Sequence, residues 1–131
     1  MQEAYDFLQT ANVYFLATAE KDQPRVRPFG TCAIFNDNIY ILTDKEKDVS
    51  KQIEANPKIE LCAYRGSDWI RITAEAVRDD RPESIHYMLN RYQQYVDSYA
   101  IDYENAGVFY LQNVIATFTS FEEGIYRMMK F

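Results

Sequence analysis

Two arginines placed two residues apart are the first feature of this sequence with a chemical use. Arg25 and Arg27 lie in the segment QPRVRPFG, residues 23–30. Side chains alternate along a strand, so both arginines are expected on the same face. Two neighbouring cations repel each other unless a carboxylate or another anion lies between them. Pro28 follows directly and lacks a backbone donor, which is typical of an edge strand or a bulge.

A second group of donors follows the apolar run that ends at Thr43. Lys47 and Lys51 are four residues apart, on one face of a predicted helix, with Ser50 beside them. A strand end that leads into a helix N-terminus, with hydroxyl and ammonium donors, is a suitable phosphate site. Residues 44–51 also contain three acidic and three basic side chains, as an ordinary solvated helix start does. The spacing leaves both interpretations open.

The residue inventory excludes several other kinds of site. His86 is the single histidine, so a His-rich metal site is excluded, and we expect this ring to be structural or solvated. The four glycines are too far apart for a G-x-G-x-x-G or P-loop motif. A phosphate-bearing ligand would therefore depend on Arg, Lys, Ser and Thr side chains or on a helix N-terminus.

Charge and hydropathy limit the partners and the compartment. The net charge is -6 and the pI is near 4.8, which argues against binding to nucleic acid or anionic membranes. The sequence contains no apolar run as long as a membrane span and no basic signal-peptide start. We expect a cytoplasmic protein in which Cys32 and Cys62 are buried free thiols.

The predicted elements form one domain over residues 1–131 that is rich in aromatic residues, 15 % of the chain. Asn36, Asp37 and Asn38 predict a hairpin turn, and Asp80 and Glu83 resemble a capping box with Pro82 in the first helical turn. Short connections favour an antiparallel barrel of six strands with helices between them. The predicted strands cover 14–19, 25–35 (bent near Pro28 or Gly30), 39–43, 59–64, 69–77 and 107–121, and the predicted helices cover 3–11, the region around 49–53, and 80–95.

Seven short segments in a fixed order carry a family resemblance that covers nearly the whole chain. They are LAT (16–18), QPRVRPFG (23–30), ILT (41–43), KDVSKQI (47–53), NPKIE (56–60), WIRI (69–72) and VFYL (108–111). The set resembles the pyridoxamine 5'-phosphate oxidase-like family of FMN-binding split barrels. Within that family it is most similar to the small Nim-type branch, which is related to nitroimidazole resistance.

The resemblance implies a mainly β fold, a six-stranded antiparallel split barrel, and FMN as the cofactor. It also implies a homodimer with the flavins at the subunit interface, where Trp69 is a candidate ring supplied by the other chain, although a core or rim position fits Trp69 equally well. Trp69 and Tyr110 would then shape a flat slot for the flavin and a small-molecule substrate. The cofactor-binding positions implied are Arg25, Val26, Arg27, Pro28, Leu42, Thr43, Lys47, Ser50, Lys51, Gln52 and Trp69.

Two departures from the family pattern narrow the expected activity. The chain has no C-terminal Arg-x-x-Pro segment, and Asp48 and Val49 stand where a true pyridoxamine phosphate oxidase has basic residues. We therefore expect an FMN-dependent oxidoreductase that passes electrons from NAD(P)H or another reductant to a small, nitro-aromatic type of acceptor, not vitamin B6 oxidation. The alternatives are a non-catalytic flavin store or sensor, a split barrel with deazaflavin or haem, and a barrel without cofactor. No catalytic side chain is assigned.

Overall fold

A computed structural model describes all 131 residues of the chain. None of its helices is long and apolar enough to cross a membrane. The elements in chain order are α1 (Gln2–Ala11), β1 (Tyr14–Glu20), β2 (Gln23–Phe29), β3 (Ala33–Phe35), β4 (Asn38–Asp44), α2 (Asp48–Ala55), β5 (Lys58–Arg65), β6 (Asp68–Arg78), α3 (Pro82–Arg91), α4 (Gln93–Ser98), β7 (Ala106–Ser120) and β8 (Gly124–Lys130).

All strand pairs are antiparallel, in the order β2-β1-β5-β6-β7-β4-β3, with β8 paired to β7. The two strands at the ends of this path, β2 and β3, are consecutive in the chain. Residues 30–32 therefore connect the two edge strands through the backbone. The two edge strands form no strand pairing with each other. This arrangement confirms the predicted split-barrel class, and β2 is an edge strand, as Pro28 predicts.

The prediction of one strand over 25–35 is wrong, because the chain crosses from one edge of the sheet to the other. Hydrogen bonds of side-chain hydroxyl groups, instead of strand pairing, fix the backbone of this crossing segment. Thr31 Oγ1 donates to the Leu42 carbonyl at 2.8 Å and accepts from the Leu42 N–H at 2.9 Å. Tyr14 Oη donates to the Thr31 carbonyl at 2.6 Å. The backbone of residues 30–32 is thereby fixed beside β4.

Three further predictions need correction. The strand count is eight, because β8 was missed: its side chains are almost all exposed and show no alternation toward a core. The predicted helix over 80–95 breaks at Tyr92, whose hydroxyl hydrogen-bonds the backbone of Cys32 at 2.6 Å to O and 2.7 Å to N. The helix start is organised by Asp79 rather than Asp80, since Asp79 accepts from Ser84 Oγ at 2.7 Å.

Helices cover both faces of the β4–β7 part of the sheet, so β4 is buried almost throughout. Ile39 and Ile41 point into the main core, where α1 and α2 pack against β1, β5, β6 and β7. Tyr40 and Leu42 point the other way, into a smaller core under α3. The predicted apolar face of α2 is confirmed, with Val49 and Ile53 in the main core.

The remaining part of the sheet leaves one face uncovered. Strand alternation and register place exposed apolar side chains of β2, β1, β5 and β8, together with the half-buried Trp69 of β6, on this same face. Val26, Tyr64 and Met128 are 69 %, 66 % and 61 % exposed. We define the outer sheet face as Phe15, Val26, Tyr64, Trp69 and Met128.

Candidate functional site

Arg25 and Arg27 leave the same face of β2, as predicted, opposite Thr18 and Leu16 of β1. The two arginines differ in what compensates their charge. Arg25 Nη2 forms a salt bridge to Glu20 Oε1 at 2.9 Å, and both side chains are about half exposed. This bridge lowers the pKa of Glu20 through the hydrogen bond and the charge of Arg25. The first arginine is therefore neutralised by a carboxylate of this chain.

Arg27 is partly buried and is held only by neutral acceptors. Its Nη1 donates to Thr18 Oγ1 at 2.7 Å and to the Leu16 carbonyl at 3.2 Å, and its Nη2 donates to Gln52 Oε1 at 2.7 Å. Three of the five N–H donors of the guanidinium are used, which leaves Nε–H and one Nη2–H. Burial lowers the pKa of Arg27, while the charge of Asp48 opposes that effect. Arg27 forms no salt bridge, and the charge of Asp48 acts on it only from beyond salt-bridge distance.

Lys47 supplies a second cation without an ion pair. It is the N-cap residue of α2, and no side chain caps this helix end. Its ammonium lies 4.5 Å from the centroid of the Tyr99 ring, a cation–π contact. The first N–H groups of α2 have no helical partner and carry the positive end of the helix dipole. Two cations and a helix N-terminus thus lie at one end of β2.

Two buried hydroxyls lie behind Lys47 without a hydrogen-bond partner, those of Thr43 and Ser50. They flank Gly107, which pairs with Thr43 across β4 and β7. A Cβ at Gly107 would lie 3.3 Å from both Ser50 Oγ and Thr43 Cγ2, so the absence of a side chain allows this close approach. Buried orphan hydroxyls are rare in folded proteins, and a bound water or polar ligand commonly satisfies such groups.

These groups surround two adjoining recesses that share Arg27, Lys47 and Val49. The polar recess, about 610 Å³, is also lined by Glu20, Arg25, Val26, Asp48 and Gln52. The aromatic recess, about 350 Å³, is also lined by Val13, Pro28, Phe29, Gly30, Thr31, Thr43, Tyr95 and Tyr99. We call the two recesses together the cleft. Its chemistry is that of an anion site next to an apolar, aromatic wall.

The cleft contains seven of the positions predicted for a cofactor, and the other four lie elsewhere. The seven are Arg25, Val26, Arg27, Pro28, Thr43, Lys47 and Gln52. Ser50 is fully buried behind the cleft, and Leu42 points its side chain into the smaller core. Lys51 is exposed on the neighbouring surface beside Ala55. Trp69 lies on the outer sheet face, 6.3 Å from the Phe121 ring.

Tyr110, which was expected to shape the flavin slot, and His86, which was expected to be structural or solvated, also lie outside the cleft. Tyr110 packs against Tyr40 at 5.8 Å between ring centroids, beside the smaller core, and does not line the slot that the sequence suggested. His86 is exposed and its ring lies 5.0 Å from that of Tyr103. Neither residue reaches the cleft within one chain.

Sequence reasoning missed the two tyrosines that form one wall of the cleft. Tyr95 and Tyr99 line the aromatic recess from α4 and the residue that ends it. Their i, i+4 spacing places them on one helix face, and that spacing was the available signal. The predicted helix ends at 95, so the pattern that continues to Tyr99 lies beyond it. Tyr95 is partly buried there, and this burial raises its pKa.

Comparison with known proteins identifies relatives of the whole chain. The sequence profile of the pyridoxamine 5'-phosphate oxidase family matches residues 1–119. A NimC/NimA family protein from Clostridium acetobutylicum is similar in structure, with a TM-score of 0.91, 33 % identity, and coverage of 100 % of this chain and 93 % of that one. No functionally curated protein matches the chain.

More distant structures share the fold alone. One is a putative pyridoxamine 5'-phosphate oxidase from Listeria innocua, with a TM-score of 0.66, 13 % identity, and coverage of 98 % of this chain and 95 % of that one. Another is HutZ, the heme storage protein from Vibrio cholerae, with a TM-score of 0.64, 17 % identity, and coverage of 86 % and 91 %.

Proposed function

Because this chain belongs to the pyridoxamine 5'-phosphate oxidase-like family, in its NimC/NimA branch, we propose that its cleft binds FMN and that it is an FMN-dependent oxidoreductase. A single observation carries the proposal: Arg27 is a partly buried cation with neutral partners only, beside Lys47, which forms no ion pair. Two cations without salt bridges at a helix N-terminus favour a ligand that brings its own negative charge.

The donor set of the polar recess fits a phosphate group. Arg27 has two unused N–H donors, Lys47 has a free ammonium, and the first turn of α2 adds backbone N–H groups. Thr43 Oγ1, a buried hydroxyl without a hydrogen-bond partner, belongs to the adjoining aromatic recess. Asp48 in the first turn opposes an anion, so we expect weaker phosphate binding than in a true pyridoxamine phosphate oxidase, where basic residues occupy that position.

The aromatic recess offers walls suited to a flat ring system. Pro28, Phe29 and Gly30 line this recess together with Tyr95 and Tyr99. Such rings exclude water and favour stacking on an aromatic ligand. When bound, FMN supplies reversible electron transfer through its N5 position. The residues of this chain bind and orient the cofactor, and the tyrosine wall leaves an apolar surface against which a small nitro-aromatic acceptor would stack.

We further propose that two copies pair through the outer sheet face, which is rich in exposed apolar side chains. The ion pair of Arg71 and Glu60 lies on the same face, and exposed apolar side chains next to such polar residues are typical of an interaction surface. Val26 of this face neighbours Arg27 on the same edge strand, so a second copy seated here would lie next to the cleft. Trp69 contacts no cleft residue of its own chain, and only this pairing would bring it to a flavin.

A haem-binding function is the second candidate, favoured by the likeness to HutZ. The cleft offers no histidine ligand, because His86 lies outside it, and Tyr95 and Tyr99 are the side chains able to ligate iron there. A flavin store without turnover is a third candidate, and it predicts the same bound FMN as the oxidoreductase.

The visible absorption spectrum of the purified protein, recorded before and after addition of FMN and gel filtration, tests the proposal. We expect flavin bands that persist through the column and that NADH or NADPH bleaches. Retained flavin that neither nucleotide reduces would favour the store. Retention of added hemin instead of FMN would favour the haem candidate, and a colourless protein that retains neither would overturn both the FMN and the haem candidates.

A further inference from the structure

Gln52 is a buried amide that faces the guanidinium of Arg27. It lies on α2 and is 6 % exposed. Its Oε1 accepts hydrogen bonds from Arg27 Nη2 at 2.7 Å and from Thr18 Oγ1 at 2.5 Å. Its Nε2 reaches Glu20 Oε2 at 3.4 Å. The amide oxygen is thus occupied by protein donors and turned toward β1 and β2.

Thr18 completes a closed ring of hydrogen bonds with these two residues. Arg27 Nη1 donates to Thr18 Oγ1 at 2.7 Å, and the Thr18 hydroxyl donates onward to Gln52. Thr18 is itself 5 % exposed and belongs to β1. One edge of the guanidinium is therefore held against β1 and α2, and its remaining N–H donors stay free for another acceptor.

Every acceptor in this ring is neutral, although a carboxylate lies nearby. Glu20 forms its salt bridge with Arg25, so it neutralises Arg25 and not Arg27. A carboxylate at position 52 would have the same shape as the amide and would form an ion pair with Arg27. The ring therefore combines a rigid orientation of Arg27 with a charge that no salt bridge cancels, since Asp48 acts on it only at longer range.

We propose that Gln52 and Thr18 are positioning residues that hold Arg27 as a fixed cation without a salt bridge, and that the neutrality of position 52 makes the cleft an anion receptor. This inference rests on the proposed function only in naming the anion as the phosphate of FMN. Gln52 accordingly acts through Arg27 and does not itself contact the ligand.

Gln52→Glu tests the inference, because it changes one charge and almost no volume. We expect its affinity for FMN to fall by about ten- to a hundredfold, since the phosphate loses a charge-assisted partner. Its affinity for riboflavin, which lacks the phosphate, should stay within about twofold. Asn90→Asp, an exposed amide on α3, adds the same charge outside the cleft and should leave both affinities unchanged.

If Gln52 had only a structural role, Gln52→Glu would lower the melting temperature and reduce the binding of both flavins equally, and this result would overturn the inference. An FMN affinity of Gln52→Glu equal to that of the wild type would also overturn it. If that variant fails to fold by circular dichroism, Thr18→Val replaces it: it keeps the shape of Thr18 and removes the relay hydroxyl. For Thr18→Val we expect FMN affinity to fall about three- to tenfold with riboflavin affinity unchanged, and an unchanged FMN affinity would refute the inference.

Inorganic phosphate separates failure of this inference from failure of the proposed function. A ligand that binds only the native state raises its melting temperature. If the wild-type protein is stabilised by phosphate but not by FMN, the proposed function fails, while loss of the phosphate effect in Gln52→Glu still supports the receptor. If neither phosphate nor FMN stabilises the wild-type protein, both proposals fall.

Discussion

Asp79 holds the start of α3 to β4 through a buried carboxylate. Its Oδ2 accepts hydrogen bonds from Tyr40 Oη at 2.7 Å, Ser84 Oγ at 2.7 Å and Arg81 Nη2 at 2.8 Å. Tyr40 and Ser84 are fully buried, whereas the Arg81 side chain is 55 % exposed. We predict that Asp79→Ala is among the most destabilising polar substitutions in this protein.

The magnitude follows from the two buried hydroxyls. A hydrogen bond to a charged group contributes about 1.5–3 kcal/mol, and removing the acceptor leaves both hydroxyls buried without their partner. The exposed contact to Arg81 adds little, because solvent screens it. We therefore expect Asp79→Ala to lower the free energy of unfolding by about 3–5 kcal/mol at pH 7. Asp80→Ala, which breaks a more exposed pair with Arg78, should cost no more than about 1 kcal/mol.

The loss of stability caused by Asp79→Ala should become smaller as the pH falls. Hydrogen bonds from Arg81, together with those from Tyr40 and Ser84, hold the pKa of Asp79 well below its usual range. A carboxyl group whose pKa is lower in the folded than in the unfolded state stabilises the folded state. This stabilisation is complete above the unfolded-state pKa of about 3.9 and is lost as the pH falls through the folded-state pKa. The difference between wild type and Asp79→Ala should therefore shrink by about 1 kcal/mol between pH 7 and pH 3.

Urea denaturation followed by circular dichroism at both pH values measures these quantities. A loss below about 1 kcal/mol at pH 7, equal to that of Asp80→Ala, would refute the assignment of Asp79 as a buried anchor. A difference that grows toward acid pH would show that the sign of the pKa shift is wrong.

Three further predictions concern the cleft, the outer sheet face and the thiols. Lys47→Ala should weaken FMN binding by about 1–3 kcal/mol in a fluorescence titration, whereas Lys51→Ala should change it by less than about 0.5 kcal/mol; equal effects would remove Lys47 from the phosphate site. If flavin is shared between two copies, dilution or Phe15→Glu should release FMN as the dimer dissociates in analytical ultracentrifugation, and a demonstrated monomer that retains FMN would contradict the shared site. Burial raises the pKa of the Cys32 thiol to about 12. A disulfide reagent at pH 8 should therefore react with at most one thiol in the native protein and with two in urea. Reaction of two thiols in the native protein would show that the Cys32 region opens readily.

Features governed by local geometry could be predicted from the sequence. The common face of Arg25 and Arg27 follows from the two-residue period of a strand, and the edge position of β2 follows from the missing donor of Pro28. The hairpin at Asn36 and Asp37 was also predicted, and both residues adopt the positive φ that such a turn requires, 48° and 60°. Each of these features depends on neighbours within a few residues.

The partners of the two arginines could not be predicted, because they come from distant parts of the chain. Arg25 and Arg27 look alike in the sequence, yet Arg25 meets the carboxylate of Glu20 while Arg27 meets the amide of Gln52, 25 residues away. Position 52 faces Arg27 only because α2 packs against β1. The difference between a cation with a salt bridge and one without therefore exists only in the folded protein.

The break in the predicted strand over 25–35 and the position of Tyr95 and Tyr99 at the cleft both result from contacts between residues distant in the chain. No residue between Gly30 and Cys32 forbids a continuous strand, but pairing of β2 with β1 and of β3 with β4 carries the chain across the split in the barrel. That crossing, with Tyr92 bound to Cys32, brings α4 and its tyrosines to the cleft. The order of the motifs in the sequence was sufficient to show the resemblance to the family, and with it the class of fold. The tertiary structure alone decided which charges and rings meet at the cleft, because hydrogen bonds between residues distant in the chain determine those contacts.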